Sequence, residues 1–402
     1  VYKRQVGVHE KFQYNYRINA SEMVAFGQLQ SIGNKFDSFM SFSLKNTNYQ
    51  RDGLFKNGTY PDNSYGQGAK QSFLSPSFKA GITYKYTGRH LLNLNAGYLS
   101  NPPTIRSSFS NSRVNNNITP NLTSEKILTA DINYIFRSPK FQTRLTAYYT
   151  KIKDASEISF FFAQGLLGDQ ADFVNEIITG VQRRHLGVEL SSEYQLTSSL
   201  KLLGVGSLGQ FTYDNNPQLF IQSESFTDEN SDFGTAYLKN LHLSGTPQRA
   251  YSLGFEYRDP NYWWFQINGN LLTHNFIDIS PLLRTNNFYL DADGVPFVDE
   301  DTGIEVNQEQ VNALLQQERF EDALLMNAVG GKSWLIKEKY FGFFIGINNI
   351  LGELYKTGGF EQSRKVNYKE LKQDKQLETP VFGPKYWYGN TASYYLNIYI
   401  RF

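Results

Sequence analysis

Residues 394–402 read "YYLNIYIRF". In an extended chain Tyr394, Leu396, Ile398, Ile400 and Phe402 share one face, while Tyr395, Asn397, Tyr399 and Arg401 share the other. One face is apolar and the other wet. The same two-residue period returns along the chain. Tyr251, Leu253, Phe255 and Tyr257 alternate with Ser252, Gly254, Glu256 and Arg258, and Leu128, Ala130, Ile132, Tyr134 and Phe136 alternate with Thr129, Asp131 and Asn133. Leu186, Val188 and Leu190, then Trp263, Phe265 and Ile267, then Phe341, Phe343, Ile345 and Ile347 repeat the pattern. About fourteen such segments can be counted. No charged residue stands in these apolar phases. That is expected of a face meeting lipid, where an Arg or Lys at mid-bilayer costs about 2–4 kcal/mol.

The connections alternate too. "IGNK" (32–35), "YTGR" (86–89), "RSPK" (137–140), "LTSS" (196–199), "RDPN" (258–261) and "KEK" (337–339) are short and built of turn residues. Between them lie long polar stretches near 49–68, 101–122, 163–175, 215–238, 278–323 and 352–386. Structureless loops of that length would argue against strands in a soluble domain. Tight turns on one rim and long loops on the other are instead the plan of an outer-membrane barrel. The expected fold is therefore all-β, a transmembrane antiparallel β-barrel over residues 1–402. Within the longest loop, Val311, Leu314, Leu315 and Glu318 recur at helical spacing after Asn307, which predicts a short surface helix with an Asn cap.

Composition sharpens this picture. Aromatic residues make up 15% of a chain whose mean hydropathy is -0.46, so many rings sit in a polar sequence. The net charge of +1 supplies no global field for nucleic acid. Cysteine is absent, and no run approaches the 18 or so apolar residues of a membrane helix. The chain opens on Val1 with no export signal before its first strand, which reads as the product of processing or truncation.

Motifs that resemble chemistry have plainer readings. "GVGSLG" (204–209) matches a dinucleotide fingerprint, but strand-like sequence follows it where a helix is required. Gly204 and Gly206 are expected to face the lumen, opposite Leu203, Val205, Phe211 and Tyr213. "GGKS" (330–333) lacks the upstream glycine of a phosphate loop and reads as a strand start. "DADGVPFVDEDTG" (291–303) gathers Asp291, Asp293, Asp299 and Asp301, oxygen ligands of the kind calcium takes, though not at EF-hand spacing. Loop calcium is the one cofactor the sequence suggests. The five histidines are scattered, and no nucleophile, base and orienter combine, so no enzyme is expected.

Several stretches resemble the C-terminal part of TonB-dependent receptor barrels, closest to those of the Bacteroidota. They are "YLSNPPTIRSSFSNSR" (98–113), "NLTSEKILTADINYIF" (121–136), "RRHLGVELSSEY" (183–194), "FFIGINNILGELYKTGGFE" (343–361) and the closing strand. The resemblance implies an outer-membrane receptor for energised uptake of a large scarce nutrient such as an iron chelate, cobalamin, a glycan or a peptide. It also implies a barrel of about 22 strands around a plug, so that the plug and several strands are expected upstream. The implied partners are the TonB complex through that missing region, the barrel assembly machinery and a surface lipoprotein. Tyr394, Leu396, Ile398, Ile400 and Phe402 resemble the insertion signal read during assembly. Phe109, Tyr289, Phe297, Tyr386, Trp387 and Tyr388 are loop aromatics suited to contact a ligand.

Two other readings stay open at this point. One is a complete fourteen-stranded passive porin or lipid channel, since even-stranded barrels occur from about 8 strands upward. The other is a soluble all-β binding protein, whose aromatic rows would stack against a second sheet.

Overall fold

Alternating β-branched and aromatic residues favour an extended, two-faced backbone, and the computed structural model shows where each face goes. It describes residues 7–9, 14–167, 170–223, 230–291, 293–362 and 367–402. Eighteen strands follow in chain order: β1 (Tyr16–Ile32), β2 (Phe36–Gly53), β3 (Gly66–Gln67), β4 (Gln71–Lys85), β5 (His90–Asn101), β6 (Glu125–Arg137), β7 (Phe141–Leu167), β8 (Gln170–Gln195) and β9 (Leu200–Tyr213). The remainder are β10 (Gln218–Gln222), β11 (Ser231–Thr235), β12 (Arg249–Arg258), β13 (Trp263–Thr273), β14 (Ala323–Ile336), β15 (Lys339–Asn348), β16 (Lys356–Phe360), β17 (Lys385–Tyr388) and β18 (Ser393–Arg401). The helices are α1 (Ile105–Ser108), α2 (Gln308–Leu314) and α3 (Tyr368–Gln376).

The wall is one antiparallel meander, β1-β2-β4-β5-β6-β7-β8-β9-β12-β13-β14-β15-β18. It holds thirteen strands, against the fourteen or so that period counting gives, because β3, β10, β11, β16 and β17 lie in the connections. β1 and β18 end the series without pairing to each other, so the wall is a curved open sheet. Each neighbour runs antiparallel to the last, which collects the short turns on one rim and the long connections on the other. The stretch 163–175 differs from its expected loop form. β7 and β8 stay paired out to Leu167 and Gln170, forming a ribbon that rises past the rest of the wall.

Directly paired residues share a face, so register decides what points outward. Leu253 pairs with Gly204, Phe255 with Ile267, and Phe343 with Ile398, and these side chains line the outside. They are not covered by a second sheet or helix layer; the wall's outward apolar side chains remain exposed. A soluble protein rarely leaves an apolar patch of such extent open to water. At the short-turn rim the outer face carries a belt of contacting rings, including Phe36–Tyr84 at 4.9 Å, His90–Phe136 at 4.7 Å and Phe141–Tyr194 at 6.3 Å. Belts of this kind mark membrane interfaces.

Register also reverses one expectation. Val188 pairs with Leu208 and Leu190 with Gly206, which puts Gly204 and Gly206 on the outer face and Leu203 and Val205 in the lumen. The reason is topological, since pairing with β8 and β12 fixes the phase of β9; the Tyr251 ring packs over Gly206 at ordinary van der Waals distance. "GGKS" is likewise no strand start. It sits in the middle of β14, where a Cβ on Gly331 would collide with the Phe343 carbonyl.

The long connections fold over the loop rim as a crown with its own cores. The first core joins Val174, Ile178, Leu219, Ile221, Leu238 and Leu282. The second joins Leu283, Phe288, Val306, Val311, Tyr368 and Leu371. The predicted surface helix is α2, and Asn307 caps it by accepting from the Gln310 amide while the Gln310 side chain accepts from the Asn307 amide. It ends at Leu314, so Glu318 falls beyond it.

Candidate functional site

A polar ladder crosses the inner face of β4–β7. Asn93 Nδ2 donates to Thr83 (2.9 Å), and Asn95 Nδ2 donates to Asn93 (2.6 Å) and to Asp131 (2.9 Å). Asn133 is fully buried, and its Oδ1 accepts from Arg144 Nη2 (2.6 Å) and Thr146 (2.7 Å). Nearby, Gln142, Arg144, Glu193, Leu203, Val205 and Asn268 border a concavity of about 430 Å³. The lumen here is thus hydrogen-bonding surface in which Leu203 and Val205 form an apolar island.

The crown above it is held by buried charge. Arg284 donates to Glu361 through both terminal nitrogens (2.5 and 2.9 Å) and to the carbonyls of Ser280 and Leu315 (3.0 Å each). Both terminal nitrogens are engaged twice, which is what makes a buried guanidinium tolerable. Arg51 plays the same part on the other side, donating to the carbonyls of Ser112 (2.7 Å) and Ser64 (3.0 Å) and to Asn116 (2.5 Å). Between these two sides Tyr60 Oη donates to the Ser223 carbonyl (2.9 Å) and accepts from Gln222 (3.0 Å). The 54–70 connection is thereby tied to the β10 ribbon.

Glu176, on β8, is an acid buried beside the first core. Burial pushes its carboxyl up to about 7, even though it accepts from Ser159 (2.9 Å) and from the Leu282 amide (3.1 Å). Burial raises Asp278 as well. Sequence reading missed Glu176, Arg51 and Arg284. For Glu176 the signal was there, a lone acid between Val174 and Ile177; nothing local distinguishes the two arginines from solvated ones.

The predicted loop residues separate into packed and exposed groups. Phe109 is buried with Tyr49 and Phe73, while Tyr289 and Phe297 pack half-buried against the second core. Tyr386 donates to Glu318 (2.6 Å), and Lys356 lies over its ring at 3.7 Å. Burial and the Glu318 hydrogen bond hold its hydroxyl well above the usual phenol range. Trp387 and Tyr388 are 57% and 52% exposed, with Trp387 against Phe360. These two are the open rings.

The four loop aspartates do not converge. Asp291 accepts from the Asp293 and Val295 amides of its own turn (2.9 Å each). Asp299 receives Lys372 (2.8 Å) and Tyr368 (2.9 Å), which hold its carboxyl well below the usual range, and Lys372 also meets Asp301 (2.5 Å). Lys372 thus supplies the positive charge between them. Tyr394, Leu396, Ile398, Ile400 and Phe402 all lie on the outer side of β18, with Lys339 Nζ 4.6 Å from the Phe402 ring centre.

Residues 17–350 match the family model described as TonB dependent receptor-like, beta-barrel. The fold is similar to the ferric-catecholate import receptor Fiu of E. coli K12, with TM-score 0.57 and 13% identity, covering 96% of this chain and 45% of that one. It is similar to the siderophore receptor PiuA of Acinetobacter baumannii, with TM-score 0.59 and 11% identity over 96% of this chain and 44% of that one. The ferric citrate transporter FecA in its unliganded form gives TM-score 0.58 and 11% identity over 98% of this chain and 47% of that one. The chain thus spans under half the length of these solved relatives. No curated protein matches.

Proposed function

This chain belongs to the TonB-dependent receptor β-barrels of the outer membrane, and from that premise we propose that it forms the wall and mouth of a receptor importing a large scarce nutrient, an iron chelate first among the candidates. The single observation carrying the reading is the two-sided wall under a folded crown: exposed apolar rows outside, a hydrogen-bonding lumen inside, and long loops packed over one rim. Neighbours named for ferric-catecholate import and ferric citrate transport favour a chelated metal.

The unpaired edges of β1 and β18 support a second part of the reading. A strand edge within lipid leaves amides and carbonyls without partners at several kcal/mol each, roughly. Further strands, and a plug that couples to TonB, are therefore proposed to complete the wall in the intact receptor. Trp387 and Tyr388 are the rings proposed to meet the ligand.

The test is uptake by cells carrying the intact receptor as their sole importer of a panel of labelled iron chelates. Accumulation of one chelate that stops when TonB is deleted is the expected result. Uptake indifferent to TonB would overturn the proposal in favour of a passive channel.

A further inference from the structure

On the outer face of β6–β8, two pairs of like charges stand directly opposite each other. Lys126 is the cross-strand partner of Lys153, and Lys151 is the partner of Arg184. Such pairing is unfavourable unless something negative sits between. Asp214 serves the second pair, 2.5 Å from Lys151 and 3.6 Å from Arg184. The first pair is only half served. Asp154, in a left-handed conformation at the bulge beyond Ile152, reaches Lys126 at 2.7 Å, and among the described residues Lys153 has no carboxylate partner. Lys239 lies close enough to Asp214 to lower its carboxyl further. Five cations therefore meet two carboxylates on one patch.

The height of the patch says what it faces. Lys126, Lys151 and Arg184 stand up their strands from Phe136, Phe141 and Tyr194 of the aromatic belt by about ten residues each, the length of one transmembrane crossing. Leu128, Ile132, Leu145, Tyr149, Leu186 and Val188 fill the outer face between. Tilted as barrel strands are, that interval rises about 25 Å, the height of the apolar band. The cations thus stand at the headgroup level of the leaflet on the loop side, turned away from the lumen.

We propose that this patch binds the phosphate groups of an anionic lipid headgroup in that outer leaflet, with Lys126 and Lys153 as its open arms. Lipid phosphate completes the half-served pair as Asp214 completes the other. The neighbouring Tyr98, which shares a register row with Leu128 and Lys151, gives the headgroup boundary an amphipathic ring.

The test uses the receptor extracted in mild detergent from its own membrane, stripped of lipid and titrated with a bisphosphorylated glucosamine-disaccharide glycolipid. Its dephosphorylated analogue and inorganic phosphate serve as separate arms, and bound lipid is counted by native mass spectrometry. The phosphorylated form is expected to bind at least several-fold tighter than the analogue. Lys126→Gln with Lys153→Gln should erase that difference, Lys126→Arg with Lys153→Arg should keep it, and heat-modifiable migration should show all variants folded. Equal binding of the two lipids, or a glutamine double variant that binds as wild type does, overturns the proposal. Displacement by inorganic phosphate at concentrations matched to the lipid phosphate overturns it too, since the site would then serve the free ion.

Discussion

Leu253 and Leu219 both sit on strands of the same sheet, yet Leu253 is 65% exposed and Leu219 is fully buried. Leu253 lies on the outer wall and Leu219 in the crown. The contrast holds throughout the two regions. The hydrophobic cores among the described residues belong to the crown and to the loop-side ends of strands, while the wall's outward apolar side chains stay uncovered. One chain is thus written for two solvents. The wall relies on a continuous backbone ladder and on lipid to take its apolar face, whereas the crown must expel water into its own interior as a soluble domain does.

The sharpest way to break that contrast is to remove charge from inside the crown. Arg284→Ala leaves Glu361 buried without its partner and frees the carbonyls of Ser280 and Leu315. Breaking a buried pair from one side costs about 3–5 kcal/mol. The loss should appear as faster amide exchange and proteolysis across 274–322 and 349–392, with the strands beneath still protected. Equal loosening of wall and crown would show that the two are one cooperative unit.

The complementary change puts charge on the outside of the wall. Leu253→Arg faces lipid on β12, and a mid-bilayer arginine costs about 2–4 kcal/mol. Denaturant unfolding in bilayers should show that loss with crown protection unchanged. The same residue at a lumen position such as Ser252 should be nearly neutral. If both positions behave alike, the wall does not separate lipid from water.

Sequence period alone carried most of the wall, because a strand exposed to two solvents must alternate and each phase reports its surroundings. It failed at β9, where both phases hold apolar or small residues and only pairing with Leu186, Val188 and Leu190 shows which faces out. The crown was less legible. Asn307 could be named as a cap because its partner is three residues away, but Arg284 and Glu361 meet across two connections, and no local pattern records that. Phe109 and Tyr386 illustrate the same limit. An aromatic in a polar loop reads as a ligand contact until the distant residues it packs on are known, here Tyr49 and Phe320.

The smallest effect expected is a pH dependence confined to the crown, and its sign follows from Glu176. The folded-state value, about 7, lies above the ordinary glutamate value of 4.5. The crown therefore prefers the protonated acid, and that preference contributes stability below the unfolded value which is lost as pH rises through the folded one. Burial raises Asp278 in the same direction; Arg183, Arg284 and Glu361 are the other charges near this site. Between pH 5.5 and 7 the loss should be about 1–2 kcal/mol. That window lies above the range in which Asp299, held low by Lys372, would titrate. Crown unfolding followed by proteolytic susceptibility across this window should rise with pH in the wild type. Glu176→Gln should flatten the profile while the wall's stability stays level in both proteins. A pH slope that survives in Glu176→Gln would move the proton to another group, and an equal slope in the wall would remove the distinction between the two regions.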